Sequence, residues 1–179
     1  MIYGCPDIFA VYADEIQCWS NNTFREGIIC FYFNNKPFPE DFYNYTSTLE
    51  VNIKDLKDSN LSKPNKNKEL FGWRKLDLCI YFLKKRYPAH VFSSQEEYDK
   101  YPEDLYEIDD FSYSLDIDFL KRSRLVGFVI SDGIVSRIIL TRFLDGDSDL
   151  FNLQNLKDSD VSEVYIKNNE LSNIINDIL

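Results

Sequence analysis

The sequence predicts an α+β fold in one domain, residues 1–179, in which an antiparallel sheet built from hairpins packs with a few helices, including a C-terminal helix. Three observations predict it. The chain has 179 residues, 44% of them hydrophobic, which suits a single substantial core. Short runs of β-branched and aromatic residues alternate with turn-forming residues. One run with helical spacing closes the chain.

The N-terminal third is predicted to form strands. The apolar run 8–13 is short and rich in strand-forming residues, so we interpret it as a buried strand. Residues 27–33 form a second run of this kind, and the Ser- and Asn-rich segment between the two predicts an antiparallel hairpin. A third strand is predicted at 48–53, where apolar and polar residues alternate with a period of two.

The next segment is predicted to change from loop to helix. Residues 58–67 are rich in Ser, Asn and Lys, a composition typical of an exposed loop. Large apolar residues then recur over 69–87 without strict alternation and stop before Pro88. This pattern favours a helix over a strand.

The clearest local signal is a hairpin. Two β-branched runs, 125–130 and 134–140, flank the tripeptide Ser131-Asp132-Gly133. Because Asp-Gly between such runs is typical of a type I′ turn, we expect a hairpin with that turn.

One more strand and a helix are predicted at the C-terminus. Residues 161–166 form a short β-branched run typical of a strand. Spacings of three or four separate the last large apolar residues, which are Leu171, Ile174, Ile175 and Ile178. These spacings predict an amphipathic helix, with Asn168 or Asn169 as its N-cap.

Charge is unevenly distributed along the chain. Thirty acidic residues against 20 basic ones give a net charge of −10, which opposes binding to nucleic-acid phosphates or anionic lipid and favours a basic partner. Residues 95–118 hold ten acidic residues against Lys100, whereas residues 54–86 hold ten basic residues against four acidic ones. We therefore expect a strongly dipolar molecule.

The acidic segment 95–118 is the predicted partner-binding surface. Aromatic residues are interleaved with its carboxylates, and such a surface attracts a basic partner by charge and anchors it with rings. The candidate partner-binding residues are Glu96, Glu97, Asp99, Tyr101, Glu103, Asp104, Tyr106, Glu107, Asp109 and Asp110. The alternative is that these rings point inward and belong to the core.

Catalytic motifs are scarce, so no catalytic residue and no cofactor is predicted. His90 is the one histidine of the chain, and no nucleophile motif or phosphate-binding glycine motif is present. Two aspartate groups keep metal binding open as an alternative. The first group is Asp145, Asp147 and Asp149, which lacks the glycine and the final acid of an EF-hand loop. The second group is Asp109, Asp110, Asp116 and Asp118, which suits a hydrolase if its members converge.

The cysteines and the chain's N-terminus give expectations about location. Cys5, Cys18, Cys30 and Cys79 have neither metal-ligand spacing nor the density of a disulfide framework, so we expect free thiols in the core. No apolar run reaches the length of a transmembrane helix, and no signal-peptide pattern is found at the start. A cytoplasmic protein without a membrane partner is therefore predicted.

The first forty residues contain a distinctive set of turn formers and aromatic residues. They are Met1-Ile2-Tyr3-Gly4, Pro6, Phe9-Ala10, Trp19, Phe24 through Gly27-Ile28, Phe33-Asn34 and Phe38-Pro39. With these residues the chain resembles the immunity protein 42 family. The spacing to Tyr87-Pro88 adds support. The chain departs from the pattern at Cys5, where a polar residue is expected, and at 34–37, where an Asn-Gly-type turn is expected.

The resemblance implies a function. Members of that family are small proteins encoded beside polymorphic toxins of bacteria, including contact-dependent inhibition systems. The resemblance therefore implies that this chain blocks a cognate toxin domain, and with the acidic segment it predicts stoichiometric binding to a basic toxin such as a nuclease. A metal-dependent hydrolase with clustered aspartates and an adaptor protein unrelated to toxins stay open as alternatives.

Overall fold

The computed structural model describes residues 1–21, 23–87, 96, 111–142 and 153–178. Within these residues the chain forms two antiparallel sheets and five α-helices, so the predicted α+β class is confirmed. The first sheet contains β1 (Ile2–Cys5), β2 (Phe9–Glu15), β3 (Glu26–Phe33), β4 (Lys36–Phe38) and β5 (Thr46–Thr48). The second contains β6 (Leu125–Ser131), β7 (Val135–Arg142) and β8 (Val161–Lys167). The helices are α1 (Leu49–Asp58), α2 (Lys68–Phe71), α3 (Lys75–Arg86), α4 (Asp118–Arg122) and α5 (Asn168–Asp177).

The predicted N-terminal hairpin is confirmed as β2 and β3. These strands pair over seven residues, from Phe9 opposite Phe33 to Glu15 opposite Gly27. β1 continues the sheet beside β2, while β4 and β5 both pair with the other side of β3. Because side chains alternate along a strand, one face of this sheet carries Phe9, Phe31 and Phe33 into the core and the other faces away from it.

Asparagines form the turn between β3 and β4. Phe33 pairs with Lys36, and the two residues between them, Asn34 and Asn35, have φ of 50° and 65°. A type I′ turn needs positive φ at both central residues, and asparagine tolerates that conformation better than most residues. The expected Asn-Gly-type geometry is therefore built here from two asparagines.

The predicted third strand at 48–53 is wrong beyond Thr48. β5 ends there, and α1 begins at Leu49. The alternation that suggested a strand competes with a helical spacing, since Leu49, Ile53 and Leu56 lie four and three residues apart and are all buried. Val51, which the strand pattern placed with Leu49 and Ile53, is 48% exposed.

The loop and helix predicted between residues 58 and 87 agree with the structure, except that the helix is interrupted. Residues 59–67 contain no helix, and their only β-pairing is a bridge from Lys66 to Ser131. The single helix predicted for 69–87 is divided into α2 and α3 at Gly72. The N-terminus of α2 is capped by Asn67, whose side-chain oxygen accepts a hydrogen bond from the Leu70 N–H at 3.1 Å.

The predicted β6–β7 hairpin is confirmed, but the predicted type I′ turn is wrong. Asp132 N–H donates to Val135 O at 3.1 Å, so Gly133 and Ile134 form the tip. Only Gly133 has positive φ, at 109°, whereas a type I′ turn needs it at both positions. The Asp132 carboxylate stabilises the tip by accepting hydrogen bonds from the N–H groups of Val135 and Ile134, and these bonds lower its pKa.

The C-terminal strand and helix are confirmed as β8 and α5. Leu171, Ile175 and Ile178 are buried, as the spacing predicts. The predicted cap is wrong, because α5 begins after Lys167 and has no side-chain cap. Asn168 bonds to the β6–β7 hairpin instead: it donates to Ser131 Oγ at 2.9 Å and accepts from Ser136 Oγ at 2.7 Å.

Two core clusters place the second sheet between apolar layers. One cluster joins the inner faces of both sheets with α1, α4 and α5, and includes Phe31, Phe119 and Ile138. The other lies on the opposite face of the second sheet beneath α3, and includes Phe82, Phe128 and Ile139. The second sheet is therefore buried on both faces, which leaves the outer face of the first sheet as the sheet surface nearest solvent.

Candidate protein-binding surface

Most of the predicted partner-binding residues lie outside the described residues. These are Glu97, Asp99, Tyr101, Glu103, Asp104, Tyr106, Glu107, Asp109 and Asp110, and His90, Asp145, Asp147 and Asp149 also lie outside. Glu96 is described, and it is exposed. The acidic segment therefore stays a prediction.

The two described aspartates of the hypothetical hydrolase cluster form local ion pairs. Asp116 lies 2.7 Å from Lys121 Nζ, and Asp118 lies 2.7 Å from Arg122 Nε. In the described part of the chain, no three His, Cys, Asp or Glu side chains are grouped as a metal site requires.

The described residues contain a different acidic and aromatic surface, at the end of the β2–β3 hairpin. Trp19 and Phe24 are 55% and 54% exposed in the connection between these strands. Glu15 and Glu26 flank that connection, and Glu50 of α1 lies beside it. We call this surface the hairpin end and define it as residues 14–26, without Asn22, together with Glu50.

Local hydrogen bonds hold the two rings of the hairpin end in a folded loop. The Asn21 side-chain oxygen accepts from the N–H groups of Thr23 and Phe24 at 2.8 and 2.9 Å. Ser20 Oγ donates to Ile16 O at 3.1 Å and accepts from Glu26 N–H at 3.1 Å. Short polar side chains thus form hydrogen bonds with the backbone N–H and C=O groups of the loop, as is usual for Ser and Asn in turns. The exposed aromatic side chains are left to solvent.

An ion pair attaches this loop to α1. The Arg25 N–H donates to Glu50 Oε2 at 3.2 Å, and Arg25 Nε donates to Glu50 Oε1. Partial burial acts to raise the pKa of Glu50, but the hydrogen bonds from Arg25 outweigh it and lower the pKa. The same side-chain hydrogen bond raises the pKa of Arg25. Each side chain remains 42% exposed, so the pair fixes the loop more than it stabilises the fold.

The hairpin end has a net negative charge and a concave shape. It carries the carboxylates of Asp14, Glu15, Glu26 and Glu50 against the one guanidinium of Arg25. An open cleft of about 520 Å³ lies between the loop and α1, and Glu15, Phe24 and Glu50 contribute to its lining. Carboxylates beside exposed rings are suited to binding lysine and arginine side chains of a partner.

The outer face of the first sheet continues this surface. Tyr12 and Tyr32 are partly buried there, and Tyr12 donates to Asp14 Oδ2 at 3.2 Å. Burial first, and then the Asp14 charge, raises the pKa of Tyr12, while burial raises the pKa of Tyr32. Both hydroxyls therefore stay protonated at neutral pH. Tyr43, which is 65% exposed, extends the aromatic character of this side.

The cysteines divide into two buried and two exposed thiols. Cys30 lies beneath Tyr12 and Tyr32, and burial raises the pKa of its thiol to about 12, as it does for Cys79. All four cysteines are free, as predicted, but Cys5 and Cys18 are exposed, so the prediction of core thiols is wrong for these two. Cys18 lies in the polar β2–β3 turn, a location that favours exposure.

The hairpin end could have been found in the sequence by one signal. Trp19 and Phe24 lie in a segment whose composition predicts a turn, and turns run along the protein surface. An aromatic residue in such a segment is therefore expected to be exposed. Residues 95–118 have a greater charge density and therefore give a stronger signal in the sequence.

An α+β fold that presents carboxylates beside exposed aromatic rings is typical of a protein that binds another protein. The chain belongs to the immunity protein 42 family, whose family model matches residues 1–179. The resemblance found in the first forty residues thus extends over the whole chain, and the protein is an immunity protein. Membership implies that it binds a cognate toxin.

A solved structure has a similar fold. The crystal structure of CdiI from Burkholderia dolosa AUO158 matches with a TM-score of 0.70 and 18% sequence identity, over 99% of this chain and 97% of that chain. No curated protein matches the chain. Among the described residues, no helix is long and apolar enough to cross a membrane.

Proposed function

We propose that this protein neutralises one cognate bacterial toxin by forming a stoichiometric complex with it, without catalysing a reaction. Membership of the immunity protein 42 family supports toxin neutralisation. The acidic hairpin end with its exposed aromatic rings is the observation that supports direct binding to a basic toxin. The partner is a toxin domain with a basic surface, such as a nuclease, because the chain's net charge is −10 and the hairpin end is negative. The complex forms in the cytoplasm of the producing cell and involves neither nucleic acid nor membrane on the immunity protein's side.

The two kinds of side chain at the hairpin end have different tasks in this proposal. Exposed tryptophan and aromatic rings that become buried supply most of the binding free energy at protein interfaces. Carboxylates mainly accelerate association with a basic partner and select against neutral or acidic ones. Trp19 and Phe24 are therefore the anchors, and Glu15 and Glu26 provide the attraction.

The acidic segment 95–118 belongs to the same proposal as a second contact. Its net charge is −9, and Glu96, its described candidate residue, is exposed. Replacing Glu103 and Glu107 together by glutamine tests this contact separately from the hairpin end, because it removes two charges and keeps side-chain size.

The test uses the toxin encoded by the adjoining gene. Co-expression of the immunity protein should restore growth of cells that produce this toxin, and calorimetric titration should give one immunity protein per toxin domain. Absence of both rescue and binding would contradict the proposed function. Activity of the immunity protein alone on the toxin or on its substrate would contradict a purely stoichiometric mode.

Two substitutions test the location of the surface. Trp19→Ala should weaken binding by about 2 kcal/mol or more, the typical cost of removing an aromatic anchor. Ile134→Ala is the matched control, since Ile134 is 73% exposed at the tip of the other sheet's hairpin. Equal affinity of the two variants would show that the toxin does not bind at the hairpin end.

A further inference from the structure

β1 is an edge strand that no described strand covers. The first sheet begins with β1, which pairs with β2 on one side only. Four other described strands also lie at an edge: β4 contains Lys36 and Pro37, β8 contains Glu163 and Lys167, and β5 is only three residues long. The outer side of the fourth, β6, is covered by β-bridges from Lys66 and Ser114. Charges and prolines at an edge discourage further strand pairing, and β1, with the sequence Ile-Tyr-Gly-Cys, has neither.

The hydrogen-bond pattern leaves backbone groups of β1 directed outward. Met1 and Ala13 exchange two backbone hydrogen bonds, in which Ala13 N–H donates to Met1 O at 2.9 Å and the Met1 amino group donates to Ala13 O. In an antiparallel pair such bonded positions alternate with non-bonded ones. Ile2, which faces Tyr12, is therefore in a non-bonded position, and its N–H and C=O point away from β2.

An apolar groove lies next to this edge. Its volume is about 320 Å³, and its lining includes Cys5, Ile8, Ile166 and Ile174. Ile8, in the β1–β2 turn, is 44% exposed, and Ile2 is 49% exposed. The groove can therefore take an apolar side chain from a segment that runs beside β1.

Carboxylates surround the edge and the groove. Asp14 lies 3.6 Å from the Met1 amino group at one end of β1, and Asp7 follows the other end. Glu170 of α5 lines the groove. A segment with basic residues on either side of an apolar one is complementary to this arrangement.

We propose that an extended segment of the cognate toxin binds alongside β1 as an additional strand, with an apolar side chain in the groove and Lys or Arg residues beside Asp7, Asp14 and Glu170. This inference rests on the proposed function and names the part of the toxin that binds. Backbone hydrogen bonds to Ile2 supply the pairing, and the groove and carboxylates supply the selectivity.

Two variants test the edge. Ile2→Pro removes the outward N–H, which makes no hydrogen bond to β2, and Ile8→Lys places a positive charge at the groove. Each should weaken binding of the adjoining gene's toxin about tenfold or more. Ile134→Lys, at a more exposed position on the other sheet's hairpin, should bind as the unchanged protein does, and circular dichroism and melting of all variants control for folding.

The outcomes separate this inference from the function on which it rests. Unchanged affinity of both Ile2→Pro and Ile8→Lys, together with weakened binding of Trp19→Ala, overturns strand addition and leaves the proposed function standing. Absence of binding by the unchanged protein overturns the proposed function itself. Overlapping peptides from the toxin give an independent readout: a bound peptide with an apolar residue between Lys or Arg residues is expected, and exclusive binding of acidic peptides would overturn the inference.

Discussion

Asn52 and Phe119, 67 residues apart in the sequence, are joined by a buried hydrogen bond in which the Phe119 N–H donates to Asn52 Oδ1 at 2.8 Å. Asn52 is fully buried in α1, and its amide also donates to Ser47 Oγ at 3.0 Å and to Thr48 O at 3.1 Å. One side chain thus connects β5, α1 and the first turn of α4. Asp55 adds a second bond of this kind by accepting from the Asp118 N–H at 3.1 Å.

Replacement of Asn52 by leucine should lower the free energy of unfolding by about 3 kcal/mol. Leucine has the same number of side-chain heavy atoms with the same branching, but it is larger and accepts and donates no hydrogen bond, so the Phe119 N–H and Ser47 Oγ lose a buried partner. Urea unfolding followed by circular dichroism measures the change. Asn176→Leu is the control, because Asn176 is exposed on α5, and it should change stability by less than about 0.5 kcal/mol.

Arg137 makes a second set of buried polar contacts, and replacing it should lower the free energy of unfolding more than replacing Asn52. It is 2% exposed; Nη1 donates to Phe71 O at 2.9 Å and to Trp73 O at 2.6 Å, and Nη2 lies 2.7 Å from Glu163. Arg137→Met should destabilise the protein by about 3–5 kcal/mol, because the carboxylate of Glu163 loses its partner and two carbonyls lose their donors.

Lysine should not replace Arg137. Its single ammonium group cannot reach the carbonyls of the α2–α3 connection and the Glu163 carboxylate together as the planar guanidinium does. Denaturant unfolding of Arg137→Lys should therefore show most of the loss seen with methionine. Arg122→Met is the control, since the Arg122 side chain is 59% exposed in an ion pair with Asp118. If this variant lost more than about 1 kcal/mol of stability, the distinction between buried and exposed arginines would be contradicted.

The parts of the fold that were predicted correctly are those in which local pattern and tertiary environment agree. The residues on both faces of β6 and β7 are mostly apolar, because the second sheet is buried on both faces. No helical spacing therefore competes with the strand pattern. In 48–53, Leu49 and Ile53 fit both the strand period of two and the helical spacing of four. Packing of α1 against α4 and α5 favours the helix. A single domain over residues 1–179 stays a prediction.

The acidic segment 95–118 stays a prediction, because most of its candidate residues lie outside the described residues. The hairpin end is a separate acidic and aromatic surface that was not predicted from the sequence. Charge density is visible in a sequence, but which carboxylates meet depends on contacts between distant segments. Glu50 illustrates this, because it joins Arg25 only after α1 has packed beside β3.

Thiol reactivity should separate the cysteines into two pairs. Cys30 and Cys79 are fully buried, and burial raises the pKa of each thiol to about 12, so few thiolates form at pH 8. Cys5 and Cys18 are exposed. Titration with an aromatic disulfide reagent should therefore label two thiols in the native protein and all four in denaturant. Rapid labelling of three or four native thiols would contradict the buried positions.

Stability should fall as pH rises above 9. Burial raises the pKa of the Cys79 thiol from 9.0 to about 12, so above pH 9 the unfolded chain releases a proton that the folded chain retains. Ionisation then favours the unfolded state by up to about 1.4 kcal/mol per pH unit for each buried thiol. Urea unfolding between about pH 8 and pH 11 covers the ordinary thiol pKa of 9.0 and stays below the raised pKa of about 12. Over this range the stability of Cys79→Ala should decline less steeply than that of the unchanged protein. Parallel declines would show that Cys79 does not contribute.

Association with the toxin should be fast at low salt and markedly slower at high salt. The screening length is about 10 Å at 0.1 M ionic strength, so added salt removes the long-range attraction between the hairpin end and a basic partner. In stopped-flow measurements, the double variant Glu15→Gln with Glu26→Gln should lower the association rate constant severalfold and reduce its salt dependence, while changing the dissociation rate little. Glutamine at position 26 can still accept the hydrogen bond from Thr48 Oγ1, so the loop should keep its shape. The double variant Asp58→Asn with Asp177→Asn also removes two exposed carboxylates, on α1 and α5, and should have a smaller effect. An equal effect would show that only net charge matters and not its position at the hairpin end.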